Sequence, residues 1–387
     1  MRLTRNFVKK FATLLGCLAL MALTAGQARA AGPGYAQNNL VSDIPGLAAF
    51  TDPTLLNPWG IAFFPGASPF WVNDNNAGLS ALYFGNGVAF PGLPNVTIPA
   101  PTSPTGGTPT GIVANFFAGL GAFMIPDPMD TSFGPALFIF STEDGTIEAW
   151  NAAAFVFPFP GIPNPLTAVI VVDNSAGGGP TGAVYKGLAL GNTMAGTPLL
   201  YATNFRTGNI DVFDTNFAPH TVVGPFTDPN VQHGYAPFGI QNINGHLWVT
   251  YAMQDKARHD PVNKPAHGFV GVFDTDGNLL NHFAQHGHLS SPWGVALAPA
   301  SFGQFANDIL IGNFGDGRIN AYDPASRNWL GMVSDSSGKP LVNDGLWSLT
   351  FSGAAGMTAV GAPPDTLYFS AGLNHEADGL FGTISPN

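Results

Sequence analysis

Six short clusters of oxygen-bearing and charged side chains punctuate the sequence. They are Asn73, Asp74 and Asn75; Ser141, Glu143 and Asp144; Asn204 and Arg206; Gln254 and Asp255; Asn313 and Asp316; and Asn374, His375 and Glu376. Carboxylates and amide oxygens converging from separate segments are hard ligands, the kind Ca²⁺ gathers six to eight at a time. The same residue types, with glycine, are also what tight hairpins are built from. A binding site assembled from these clusters would draw on Asn73, Asp74, Glu143, Asn204, Arg206, Asp255, Asn313, Asp316, Asn374 and Glu376. An ion site within it would use Asp74, Glu143, Asn204, Asn313 and Glu376, with Ca²⁺ as the cofactor.

Two further groups bear on the chemistry. Eight of the nine histidines lie between His220 and His288, and His282, His286 and His288 alternate onto one face of an extended segment. Gly287 interrupts that segment, so exposed histidines are expected there rather than a metal site, which needs convergent imidazoles. The stretch "MQDKARHDPVNKPAHG", residues 253–268, is the most polar in the chain. Its Asp255, His259 and Asp260 either form an ordinary surface loop or reach over a neighbouring cleft as a lid. The familiar catalytic signatures G-x-S-x-G, H-E-x-x-H and C-x-x-C are absent from the sequence. "GNFGDG" at 312–317 lacks the lysine and following helix of a phosphate loop and reads as a hairpin turn.

What could position such clusters is a repeat. "NPWGIAFF" returns as "TGIVANFF", "YKGLALGN", "APFGIQNI", "SPWGVALA" and "GLWSLTFS", with anchors at Gly60, Gly111, Gly187, Gly239, Gly294 and Ser348. The anchors are 51, 76, 52, 55 and 54 residues apart, and the long gap contains the insertion "FVFPFPGIPNPLTAVI". Each unit continues through a second apolar run, a polar turn and a third run ending in an aromatic residue or Asp. Four strands in about 50 residues is the pattern of a propeller blade. The expected fold is therefore all-β, a six-bladed β-propeller. The strand-like segment 38–44 has no blade of its own and is expected to complete blade six, closing the ring without an exposed edge. The anchor glycines let inner strands crowd the axis, and Trp59 and Trp293 are expected to fill the wedges between blades. The polar clusters then fall in loops on one face, around the mouth of the central channel.

Residues 1–30 stand apart. A basic start, the apolar run "FATLLGCLALMALTAG" and "ARA" at 28–30 read as a secretory signal peptide cleaved after Ala30, leaving 31–387 as a single domain. That segment holds five of the 13 Lys and Arg and none of the 24 Asp and Glu, so the mature chain would carry a net charge of −16. Such a surface repels phosphate backbones and anionic headgroups, which argues against nucleic acid and against membrane docking. Cys17, the one cysteine, would leave with the signal, so neither disulfide nor thiol chemistry is expected. With 49 Gly, 34 Pro and 31 Phe, the composition suits short strands and tight turns.

"NLVSDIPG", "LNPWGIAF", "SPWGVALAPASFGQFANDILIGNFGDGRINAYDP", "DGLWSLTF" and "EADGLFGTI" together resemble a family of secreted bacterial β-propellers, many with a C-terminal PEP-CTERM sorting tail. The resemblance spans the mature chain and implies fold and export. The chain departs from tailed members by ending at "TISPN". More distantly it is similar to six-bladed NHL and SMP-30/gluconolactonase-like propellers, some of them calcium-dependent hydrolases. The expectation is a secreted or periplasmic monomer that binds a small molecule, or an extracellular protein or glycan, through its channel mouth. A divalent-metal-dependent hydrolase of the lactonase type is the alternative.

Overall fold

The structure is a computed structural model that describes residues 34–126, 132–151, 166–176, 181–354 and 356–387. The signal peptide expected at 1–30 and most of the insertion at 155–170 lie outside them. The structured part of the described chain is almost entirely β-structure, with six blade sheets around one axis and two small two-stranded sheets beside them. The inner strands are Pro58–Ala62, Pro109–Ala114, Tyr185–Asn192, Tyr235–Ile243, Pro292–Leu297 and Leu346–Phe351, and each pairs antiparallel with the strand that follows in its own blade. Inner and second strands are buried almost throughout, being covered on both faces. The fourth strands, such as Trp329–Met332, are only partly buried.

The ring closes through the N-terminal strand. Tyr35–Ser42 runs antiparallel to Asp378–Pro386 as the fourth strand of blade six, and Phe50–Thr51 adds a short parallel fifth. Among the described residues, one apolar cluster fills each of the six interfaces between neighbouring blades. A seventh, built around Trp59, Phe205, Phe238, Phe314 and Trp347, fills the axis.

The repeat motif has a specific geometric job. In every blade the pairing of inner and second strands shifts register at the motif, as between Pro58 and Ile61 or Pro237 and Ile240. Such a bulge leaves backbone groups without ladder partners. A polar side chain from the second strand meets that need: Asn73, Ser141, Thr203, Thr250 and Ser370 occupy the equivalent position, and Gly312 does so in blade five. Several of these also tie one blade to the next. Asn73 Nδ2 donates to the carbonyls of Thr110 and Gly111 (3.1 and 3.2 Å), Thr203 Oγ1 to Phe238 O (2.8 Å), and Ser370 Oγ to Trp59 O.

The anchor glycines sit where neighbouring inner strands touch. A Cβ on Gly60 would stand 2.6 Å from Thr110 O, on Gly111 2.5 Å from Leu188 N, and on Gly294 2.6 Å from Trp347 O. The tightest is Gly239, 2.2 Å from Trp293 O. These are backbone contacts, which cannot rotate away. Gly239→Ala is therefore expected to cost at least the upper end of the roughly 1–3 kcal/mol typical of overpacking. Gly119→Ala, where the added carbon meets nothing, should stay within about 0.5 kcal/mol of the parent. Urea unfolding of the two variants checks this.

Candidate functional site

The residue before each anchor, reading Trp59, Thr110, Lys186, Phe238, Trp293 and Trp347 around the ring, decides what the axis contains. The indoles of Trp59 and Trp347 stack with centroids 3.4 Å apart, and Trp293 meets both edge-on at 6.3 and 5.9 Å. Phe314 stacks on Trp347 at 4.1 Å and Phe238 lies 5.7 Å from it. The tryptophans thus pack against one another as an axial plug, rather than in the wedges between blades where the sequence had placed them. Four of six inner strands present an indole or phenyl ring at one level, and rings of that size meet before an open channel is left.

Lys186 is the exception in this series. Its ammonium lies 5.1 Å from the Trp59 ring centroid and 5.8 Å from that of Phe205, and only 1% of its side chain is exposed. A buried ammonium needs partners. It finds a carboxylate oxygen of Glu143, from the loop between the second and third strands of blade two, and Asp260 at 3.4 Å. Glu143 also accepts from Asn75 Nδ2 at 3.0 Å. Its loop is clasped by Asp144, whose Oδ2 accepts from the N–H and hydroxyl of Thr108, both at 2.8 Å. The 253–268 insertion does reach over the mouth, since Asp260 belongs to it. Asp255 accepts from the backbone of His259 and Asp260 and so shapes this loop from within.

Blades one and six supply the remaining wall. Asn57 accepts from the Trp347 indole at 2.9 Å and donates to Glu376 at 2.9 Å, linking plug to mouth. Asn76 donates to the Glu376 carbonyl at 2.6 Å. Asn374, His375 and Glu376 form a left-handed turn with φ of 52°, 58° and 67°. Three consecutive non-glycine residues in that region cost about 1–2 kcal/mol each, and conformations of this kind cluster at functional sites. Burial, and then the negative charge of Glu143, raise the pKa of Glu376.

The mouth therefore collects Asn75, Glu143 and Glu376 from the clusters foreseen in the sequence and leaves most of the others elsewhere. Asn73 is a buried tie between blades. Asp74 is wholly buried on the strand face that carries Phe70 and Val72, toward blade six, and desolvation holds its carboxyl well above the usual range. Asn204 Oδ1 accepts from Val184 N and Thr207 N, and Asn313 Nδ2 donates to His288 O and Asp316, so both close their own turns. In each case the next residue, Phe205 or Phe314, joins the plug. Arg206 donates to Gly182 O at 2.7 Å, Asp316 pairs with Arg318 at 3.0 Å, and Asn374 donates to Asp378 at 2.6 Å. The five-residue ion set is thus dispersed. A different trio, Glu143, His259 and Asp260, brings its ligand atoms within 4.8 Å of one another. The histidines of blade four diverge: His282 pairs with Asp228 at 2.6 Å, while His288 stacks on Trp329 at 3.8 Å.

Lys186, Asn57 and Asn76 escaped the sequence reading. The signal for Lys186 was its column, where every other unit carries an aromatic residue or threonine.

Two outcomes test this arrangement. Lys186→Met strands the Glu143 carboxylate and should cost about 3–5 kcal/mol, most of it restored by adding Glu143→Gln, as a double-mutant cycle in urea reports. The loop contact should also depend on pH. Asp260 raises the His259 pKa above 6.5, so that contribution is full below 6.5 and fades as pH climbs through the raised value. The hydrogen bond from His259 holds Asp260 at about 2, so its contribution is present above 3.8 and lost as pH falls toward 2. Amide-exchange protection of residues 255–266 should peak between about pH 4 and 6.5 and decline on both sides, modestly, because the Asp260 side chain is 65% exposed.

No protein-family model matches the chain. "Uncharacterized protein L690" of Acanthamoeba polyphaga mimivirus is 33% identical over 359 residues, spanning 90% of this chain and 84% of its own length. "Uncharacterized protein R648" of the same virus is 31% identical over 361 residues, spanning 90% and 79%. A solved glucose dehydrogenase superposes with a TM-score of 0.50 at 12% identity, covering 90% of this chain and 98% of that one, which is a likeness of fold. These relatives are viral, whereas the motifs suggested bacterial envelope proteins. The chain belongs to the propeller family that includes these two mimivirus proteins.

Proposed function

We propose that the protein is a binding module whose polar mouth takes a small ligand rich in hydrogen-bond donors, a polyol or an amine, in preference to an anion. The observation that carries this reading is the composition of the mouth. Acceptor oxygens of Glu143, Glu376 and Asp260 surround a single ammonium that is already shared between two of them. An anion would meet three carboxylates against one ammonium and one imidazole that are already paired with them, and hydroxyl or ammonium donors would meet unspent lone pairs. Beneath the site the aromatic plug excludes water, which strengthens each polar contact made above it. The basic and apolar N-terminal 30 residues support export of this module.

A divalent-metal-dependent hydrolase is the second reading, favoured by the proximity of Glu143, His259 and Asp260. Lys186 weighs against it, because its ammonium already sits on Glu143 and Asp260, and an ion bridging them would have to displace a buried cation.

A thermal-shift screen separates the two. Polyols and primary amines should raise the melting temperature, by an amount equivalent to about 2.7 kcal/mol at a hundred times Kd, while dicarboxylates, Ca²⁺ and chelators leave it unchanged. Glu376→Gln should weaken binding about tenfold or more through loss of a charged acceptor. Stabilisation by Ca²⁺ with reversal by a chelator would favour the hydrolase instead.

A further inference from the structure

The axis has a second mouth, on the opposite side of the plug. The inner strands begin at the polar mouth with the plug residues and end around a cavity of about 430 Å³. Five blades contribute its wall: Ile61 and Phe63, Ile112 and Phe117, Leu188 and Leu190, Gln241 and Asn242, and Thr350. Among the described residues, none that lines it is ionisable. The loops that surround it expose Phe116 (61%), Leu120 (79%) and Met194 (85%), all apolar.

We infer that this cavity is a second binding site, for a small, uncharged and largely apolar molecule. Its volume lies in the range of about 300–1,000 Å³ that holds small ligands, and sites of that kind are apolar walls with a few polar groups at fixed points. Here the polar groups are amides: Asn242 is held in place by donating to Leu190 O at 2.7 Å and accepting from Gly245 N at 3.0 Å, with Gln241 and Asn192 beside it. A charged ligand would lose its hydration without gaining a counter-charge. A flat macromolecular surface would leave the recess empty, whereas a compact apolar body fills it and releases water that the walls cannot hydrogen-bond. The plug separates the two mouths, so this site stands independently of the polar one.

The probe is N-phenyl-1-naphthylamine, an uncharged dye that brightens in apolar surroundings. Titrated into the full-length protein, it should show saturable one-to-one enhancement. Thr350→Trp, which places an indole in the wall at a half-buried position, should weaken binding at least tenfold. Asn192→Trp, at an exposed lining position, serves as a second obstruction that does not touch the core. Circular dichroism verifies that both variants remain folded. Non-saturable fluorescence with the parent protein would overturn the site, as would parental affinity in both folded variants.

Discussion

The contact on which the molecule depends is between backbones. The inner strands of the first five blades bulge at their anchor glycines and rest them on the next strand's main chain, at distances where a single added carbon has little or no room. Repeated from blade one to blade six, this contact sets how closely the six strands approach the axis. The side chains beside the anchors then have no choice of location. Three indoles and a phenyl ring thrust into so narrow a cylinder must stack, and they close it. At the final junction the glycine is replaced by Ser348, and there Ser370 ties the blades by bonding to both Ser348 N and Trp59 O.

The plug in turn creates the electrostatics of the polar mouth. Lys186 belongs to the same series as the tryptophans, and its backbone carbonyl accepts the Trp293 indole proton at 3.0 Å. Its ammonium is thereby fixed on aromatic faces, with water excluded from below. Such a cation has to be neutralised from above, which brings Glu143 and Asp260 together from different blades. In a chain with so large an excess of acid, the carboxylates were available; the lysine decides which of them converge. The loop over the mouth is anchored by backbone hydrogen bonds such as Val262 N to Met253 O and Ser291 N to His267 O, and the pairing of Asp260 with Lys186 and His259 adds the part of its hold that responds to protonation.

Much of the architecture was legible in the residues. Gly-anchored units at nearly constant spacing announce six blades, and a strand-like segment before the first unit announces the closure. The site was harder to read because asparagine and aspartate serve two purposes in this fold. Asn73 satisfies a bulge, and Asn204 and Asn313 close the turns that deliver Phe205 and Phe314 to the axis. From sequence these look the same as Asn75, which does reach the mouth. Asp74 misleads for a different reason: one residue along a strand reverses the side chain, and its carboxyl faces blade six instead of the axis. The interior lysine was hidden by being the one charged residue in a column of aromatic residues and a threonine, a difference visible only once the units are laid over one another.

Everything proposed for the polar mouth rests on Lys186 being a buried, committed cation. Amine-reactive labelling followed by peptide mass mapping tests this directly, since Lys256, Lys264 and Lys339 are exposed in the same molecule and serve as internal references. Lys186 is expected to stay unmodified in the native protein while those three react, and to react with them after denaturation. Labelling of Lys186 at the rate of the surface lysines in the folded state would contradict the arrangement.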